Sequence, residues 1–72
     1  MTKFVLTIWV CSFFGGTVCT APMERDILYE SWYECAREAH RESIKLLSSI
    51  GYRKVNERWV GTRYSCRPAK TI

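Results

Sequence analysis

The sequence predicts an α+β fold in which one long helix packs on a small two- or three-stranded sheet, in the order β-α-β and stapled by disulfides. Three observations predict it. An amphipathic stripe marks a helix near the middle, strand-like segments lie towards both ends, and four cysteines are spread over 72 residues. A chain of this length forms one domain, residues 1–72, whose core alone gives only marginal stability.

The cysteines are Cys11, Cys19, Cys35 and Cys66. An even count in a short chain is typical of a disulfide framework in an oxidising compartment. Zinc ligands usually come in close pairs such as C-x2-C, and the sequence has none. We therefore expect disulfides, with no metal and no cofactor. This favours an extracytoplasmic location, secreted or periplasmic. Reduced cysteines in the cytoplasm are the alternative.

The first element is the apolar segment 4–14, which follows Lys3 and precedes Gly15-Gly16. One interpretation is that residues 1–21 are a secretory signal peptide, with a positive start, an apolar centre and small residues after it. Pro22, directly after the best small-x-small site, opposes cleavage there. The segment is too short to span a bilayer, which takes about 20 apolar residues, so no transmembrane span is expected.

The other interpretation of this segment is a buried strand. Its β-branched and aromatic residues suit a strand that is covered on both sides. Gly15-Gly16 then makes a turn, and Cys11 reaches across it to Cys19 in a bridged hairpin. The residues alone leave the strand and the signal peptide both open, and the Cys11–Cys19 disulfide depends on the strand.

The second element is a helix over 31–50. Ser31 and Glu34 form the S-x-x-E pattern of a capping box, and Gly51 is the expected residue after the C-terminus. Apolar or small residues recur at helical steps of three and four. They are Trp32, Cys35, Ala36, Ala39, Ser43, Leu46, Leu47 and Ile50. Cys35 therefore faces the core.

The third element is a C-terminal strand. The pattern predicts a short arm over 52–55, a turn at Asn56-Glu57, and then a strand that ends before Pro68. Alternation places Val60, Thr62, Tyr64 and Cys66 on one face of that strand. The strand end then meets the helix start, which makes Cys35 and Cys66 a natural disulfide pair. Strand order and direction stay open.

Six short motifs support a resemblance. They are I-W-V-C-S-F, C-T-x-P, S-W-Y-E-C, E-S-I-K-L-L, G-Y-x-x-V-N and G-T-x-Y-x-C. On these motifs the chain resembles a group of short uncharacterised proteins encoded by marine bacteriophages, over almost its whole length. In that group the positions matching all four cysteines recur together. The resemblance therefore implies that the N-terminal segment is kept as a strand, and it implies no particular activity.

The sequence argues against an enzyme. It has no Gly-rich phosphate loop and no G-x-S-x-G nucleophile elbow, and His40 has no evident acid partner. Glu34, Glu38 and Glu42 share one side of the helix, but arginines lie between them, as is typical of a solvated surface. A substrate pocket is also hard to build in so small a body.

The candidate binding surface is basic and aromatic. It comprises Arg58, Trp59, Arg63, Tyr64 and Arg67. Such a pattern can hold phosphates and stack bases, but it is also typical of a charged edge strand. Trp59 and Tyr64 are five apart, so they fall on opposite faces and form no single platform. With disulfides present, nucleic acid is not the expected partner.

These observations favour a small, non-catalytic, disulfide-stabilised interaction module. By the resemblance it would be phage-encoded and would act on the envelope or a protein of the host. The alternative is a basic nucleic-acid-binding or regulatory peptide with reduced cysteines. The oxidation state of the cysteines separates the two hypotheses.

Overall fold

The protein has an α+β fold, as predicted. The structure is a computed structural model that describes residues 3–69. Its elements, in chain order, are strands β1 (Phe4–Ser12), β2 (Val18–Cys19) and β3 (Met23–Tyr29), helices α1 (Trp32–Ile50) and α2 (Tyr52–Arg58), and strand β4 (Val60–Pro68). The order is thus β-β-β-α-α-β. The predicted β-α-β order omits two strands and the second helix.

Strand β1 lies at the centre of a four-stranded sheet in which every pairing is antiparallel. Strand β4 follows one edge of β1 along its full length, from Phe4 opposite Pro68 to Ser12 opposite Val60. Strands β2 and β3 share the other edge, β2 at its end and β3 at its beginning. The apolar N-terminal segment is therefore the strand on which all the others assemble.

Helix α1 covers one face of this sheet. The core beneath it is a cluster of Leu6, Ile8, Cys35, Ala39 and Cys66, all buried. Because side chains alternate along a strand, the odd-numbered residues of β1 point the other way. We call the side that carries them the far face.

Side chains that were predicted to share one face of β4 point towards α1. The Thr62 hydroxyl donates a hydrogen bond of 2.8 Å to the Ser43 hydroxyl, and the Tyr64 ring packs edge-on against His40. The predicted alternation in the C-terminal strand is therefore confirmed.

Helix α1 begins and ends as predicted. The Ser31 hydroxyl accepts a 3.2 Å hydrogen bond from the Glu34 backbone N–H, and the Glu34 carboxylate accepts one from the Glu30 N–H. At the other end Gly51 has a φ of 101° and donates its N–H to the Leu47 carbonyl. A positive φ is readily adopted by glycine, so the helix ends there.

The predicted short β arm over 52–55 is wrong, because Tyr52–Arg58 forms helix α2. Side chains one turn apart support it. Asn56 donates its amide to the Tyr52 carbonyl, and Arg53 lies 3.6 Å from Glu57. Asn56 and Glu57, which we expected to form a turn, thus both interact within the helix.

Strand β3 was not predicted as an element. It is an edge strand whose register against β1 shifts between Val5 and Thr7, and most of its side chains are exposed. A shift of this kind interrupts the alternation by which a strand is recognised from sequence. The segment therefore shows neither a clear period of two nor an apolar run.

The structure has two disulfides, and they join the expected pairs. Cys35–Cys66 ties α1 to β4 across the core, with 6.1 Å between Cα atoms. Cys11–Cys19 closes the hairpin of β1 and β2, in which the two residues lie directly opposite each other. Cys35–Cys66 therefore joins a helix and a strand across a sequence separation of 31, and Cys11–Cys19 holds the two-residue strand β2 on β1.

Candidate functional site

The five predicted surface residues lie in three different places. Arg63 and Arg67 are on the far face of the sheet, opposite Trp9 and Val5 respectively. Tyr64 points to the helix side and packs against His40, with ring centroids 5.4 Å apart. Two others lie together at the junction between α2 and β4, namely Arg58 and Trp59. The structure therefore does not bring the five into one surface.

The junction with Arg58 and Trp59 is fastened to the turn that follows β1. The Ser12 hydroxyl donates a 2.7 Å hydrogen bond to the Arg58 carbonyl, and the Phe13 N–H donates a 3.1 Å bond to the Trp59 carbonyl. These bonds join two segments 46 residues apart. We call the surface formed by Phe13, Phe14, Val18, Arg58 and Trp59 the hairpin end.

The hairpin end exposes aromatic rings. Phe14 packs edge-on against Trp59, with centroids 5.2 Å apart, yet 63% of Phe14 and 59% of Trp59 remain exposed. The Phe13 ring lies over Gly61, where an added Cβ would come within 2.9 Å of it. Phe14 and Trp59 thus contact each other while most of each ring stays exposed.

Trp59 also has an unusual backbone. Its φ and ψ are 51° and 56°, and its N–H donates to the Val55 carbonyl, so it ends α2 as a left-handed cap. Glycine is the usual residue there, because left-handed geometry costs an L-residue roughly 1–2 kcal/mol. A bulky residue in this conformation is a recognised pointer to function. Here this conformation accompanies the contact between the exposed Trp59 indole and the Phe14 ring.

An apolar hollow shares Val18 with the hairpin end. Val18 and Val60 flank Ser12 in neighbouring strands, and with Val10 and Ile50 they line a hollow of about 250 Å³. Val18 is itself well exposed. The hollow thus extends from the hairpin end to Ile50, the last residue of α1. Exposed apolar patches of this kind mark interaction sites in soluble proteins.

Charge is distributed unevenly along the molecule. Six of the seven acidic residues lie between 24 and 42 and the seventh is Glu57. The early acidic stretch includes the start of α1, where Trp32 packs on Phe4 at the far end of β1 from the hairpin. Glu57 is paired with Arg53. Net positive charge therefore gathers at the hairpin end.

Two basic residues of α2 add to the positive charge at the hairpin end. Lys54 and Arg58 are four residues apart, which places them on the same side of the helix. Neither takes part in an ion pair within residues 3–69, whereas Lys45 and Arg67 are paired with Glu42 and Glu24. The hairpin end thus joins exposed aromatic rings to uncompensated positive charge.

The far face carries a separate hollow. Trp9 lies opposite Arg63, and both line a hollow of about 300 Å³ together with Cys19. Trp9 is half-buried there. One aromatic and one arginine can hold a single planar group by stacking.

Groups that could perform catalysis are dispersed. Glu42 is engaged with Arg25 at 3.2 Å, and Glu38 with Arg41. Among the residues that the structure describes, no three His, Cys, Asp or Glu side chains gather as metal ligands would. None of the helices described is long and apolar enough to cross a bilayer.

Sequence reasoning missed Phe13, Phe14 and Val18 as surface residues. The two phenylalanines belong to the apolar run 4–14, and such a run is typical of a buried strand. The signal that could have found them is their position directly before Gly15-Gly16, since both glycines have positive φ and tight turns lie at the surface.

Comparison with known proteins finds no matching family model, no similar curated protein and no similar solved structure. The candidate site is therefore defined by its own geometry.

Proposed function

We propose that this protein is a small, non-catalytic binding module, held rigid by two disulfides, that attaches to its partner through the hairpin end. The observation that carries the proposal is the exposed Phe14–Trp59 pair, in which Trp59 keeps a left-handed backbone that glycine would adopt more readily. Tryptophan is the side chain most enriched among the residues that dominate binding energy.

The disulfides support an extracytoplasmic place of action, because such bonds persist mainly in oxidising compartments. The resemblance to phage-encoded proteins suggests the host cell envelope as the place where the partner lies. A rigid body suits this role, since a contact surface that is already ordered loses less entropy on binding.

The hairpin end is tested by a matched pair of variants. We expect Trp59→Gly to weaken retention of the oxidised protein on isolated bacterial cell envelopes by about tenfold or more, as the loss of a central tryptophan typically does. Tyr33→Ser, which removes an even more exposed ring from the start of α1, should leave retention unchanged. The measurement is co-sedimentation over a range of protein concentrations.

Two results would contradict the proposal. One is equal retention of the two variants and the wild type. The other is an intact mass with four alkylated thiols in protein taken from the cells that naturally produce it, since this would place the chain in a reducing compartment.

A basic nucleic-acid-binding peptide is the second candidate, and the Trp9–Arg63 hollow is the observation that favours it. Its support is weaker, because successive bases need several stacking rings along a basic groove. Arg67, the next far-face arginine along β4, is engaged with Glu24. Binding of a single-stranded oligonucleotide that falls steeply with salt and is lost in Arg63→Gln would replace the first proposal with this one.

A further inference from the structure

We infer that the partner of the hairpin end is the surface of an anionic lipid bilayer, which the molecule meets end-on. The inference rests on the proposed function, because it names the partner of the same surface. Three observations carry it: the shape of the end, the type of its aromatic side chains, and the charge around them.

The hairpin end is one tip of an elongated molecule. A nine-residue strand is about 30 Å long, and α1, with 19 residues, is about 28 Å. Because the molecule measures 43 × 20 × 16 Å, both elements must run along its longest axis. The turn after β1 therefore lies at one narrow tip, where the two short dimensions are 20 and 16 Å.

The hairpin end is small for a protein partner. Stable protein–protein interfaces take about 800 Å² and about 20–30 residues from each side, many more than the residues that form the hairpin end. Binding to a bilayer does not require so large a contact area, because each apolar side chain that enters the boundary between headgroups and acyl chains adds to the buried apolar surface. The size of the tip thus favours a lipid surface.

The rings at the tip suit the boundary between water and lipid. Tryptophan is enriched there because its ring is apolar and its N–H is polar. Phe14 lies in the turn with two glycines and Trp59 at the junction between α2 and β4, and both are more than half exposed. Their edge-on contact holds them side by side, so that both can enter a bilayer at once.

The charge around the rings is complementary to anionic headgroups. Lys54 and Arg58 lie on one side of α2, directly before Trp59, and form no ion pair within the part of the chain that the structure describes. The acidic stretch, residues 24–42, covers β3 and the first half of α1. These segments lie towards the beginning of β1, away from the hairpin end. End-on contact therefore brings cations to the lipid phosphates and carries most carboxylates away from them.

The test uses vesicles of phosphatidylcholine alone and of phosphatidylcholine with about 30% phosphatidylglycerol. We expect the oxidised protein to bind the second kind only. Trp59→Gly should weaken that binding about tenfold and Arg58→Gln about fivefold, the effect of one basic residue near an anionic surface. Arg37→Gln removes an exposed charge from the first half of α1 and should have no effect.

Depth of entry is a second readout. The protein has three tryptophans, so a Trp9→Phe, Trp32→Phe double variant reports on Trp59 alone. We expect its fluorescence to be quenched by lipids brominated near the headgroup. Absence of quenching in bound protein would overturn the inference.

The other outcomes separate this inference from the proposed function. If vesicles are not bound but envelopes retain the protein in a Trp59-dependent way, the partner is an envelope protein and the lipid inference is wrong. Equal effects of Arg58→Gln and Arg37→Gln, with none from Trp59→Gly, would show attraction by net charge only and overturn it as well. Failure of both vesicles and envelopes would remove the proposed function too.

Discussion

Trp59 combines a left-handed backbone, which costs free energy, with a ring that is more than half exposed. Its side chain contacts Phe14 at 5.2 Å between centroids, and beyond the area that it buries such a pair contributes about 0.5–1.5 kcal/mol. That gain is of the same size as the backbone cost of roughly 1–2 kcal/mol. The ring contact therefore does little more than offset the backbone cost, and the proposed attachment to a partner would give tryptophan a role at this position.

This balance predicts the stabilities of two variants. Trp59→Gly loses the ring contact but relieves the backbone, so its free energy of unfolding should stay close to that of the wild type. Trp59→Ala loses the contact and keeps the left-handed geometry, so it should be about 1 kcal/mol less stable than the glycine variant. Urea denaturation with the disulfides intact measures both.

Tyr33 provides the matched control. It is an exposed ring inside the first turn of α1, where alanine is favoured over glycine by about 1 kcal/mol. Tyr33→Gly should therefore be less stable than Tyr33→Ala, the reverse of the order at position 59. The same order at both positions would contradict the backbone argument.

At the scale of elements, α1 is built from local signals. Its cap joins residues three and four apart, the Glu34 N–H with Ser31 and the Glu30 N–H with the Glu34 carboxylate. Helix α2 has no side-chain hydrogen bond at its N-cap. Short helices are marginal on their own, so α2 depends on its packing against α1 and β4 and on the cap at Trp59.

The cap of α1 gives a prediction at this scale. Ser31→Ala removes the acceptor of the Glu34 N–H and should lower the free energy of unfolding by about 1 kcal/mol, whereas Ser31→Asp should retain most of the stability because aspartate caps equally well. Chemical denaturation of the three proteins tests this. Equal stability of the alanine and aspartate variants would show that the cap contributes nothing.

At the scale of the whole molecule, stability depends on few buried groups. The buried apolar residues among those described are Leu6, Ile8, Cys11, Cys35, Ala39 and Cys66. Three of the six are disulfide cysteines. Small domains with so little core commonly need covalent staples, and here Cys35–Cys66 is also part of the core beneath α1.

The two staples should contribute unequally. Cys35–Cys66 closes a sequence separation of 31 and Cys11–Cys19 one of 8. By the chain-entropy estimate their loss costs about 3–4 and about 2–3 kcal/mol, respectively. We expect the double alanine variant of Cys35 and Cys66 to have the lower melting temperature. The opposite order in calorimetry would contradict this.

The sequence by itself determined the parts of the protein that depend on near neighbours. Helix α1 follows from its cap, its stripe and Gly51. The faces of β4 follow from alternation. The positions of Cys35 on the stripe and of Cys66 at a strand end are local as well, and they suggested the pairing of these two cysteines. These signals act over a few residues, so they can be detected without knowledge of the rest of the fold.

Only the tertiary structure decided the rest. The position of β1 depends on pairing with β4, in which Phe4 meets Pro68, and β3 pairs in a shifted register that leaves no period in the sequence. The hairpin end arises only when the turn after β1 is bonded to the junction before β4, 46 residues along the chain. Pairing between distant segments is set by the fold as a whole, so the proposed binding surface could not be found from local patterns.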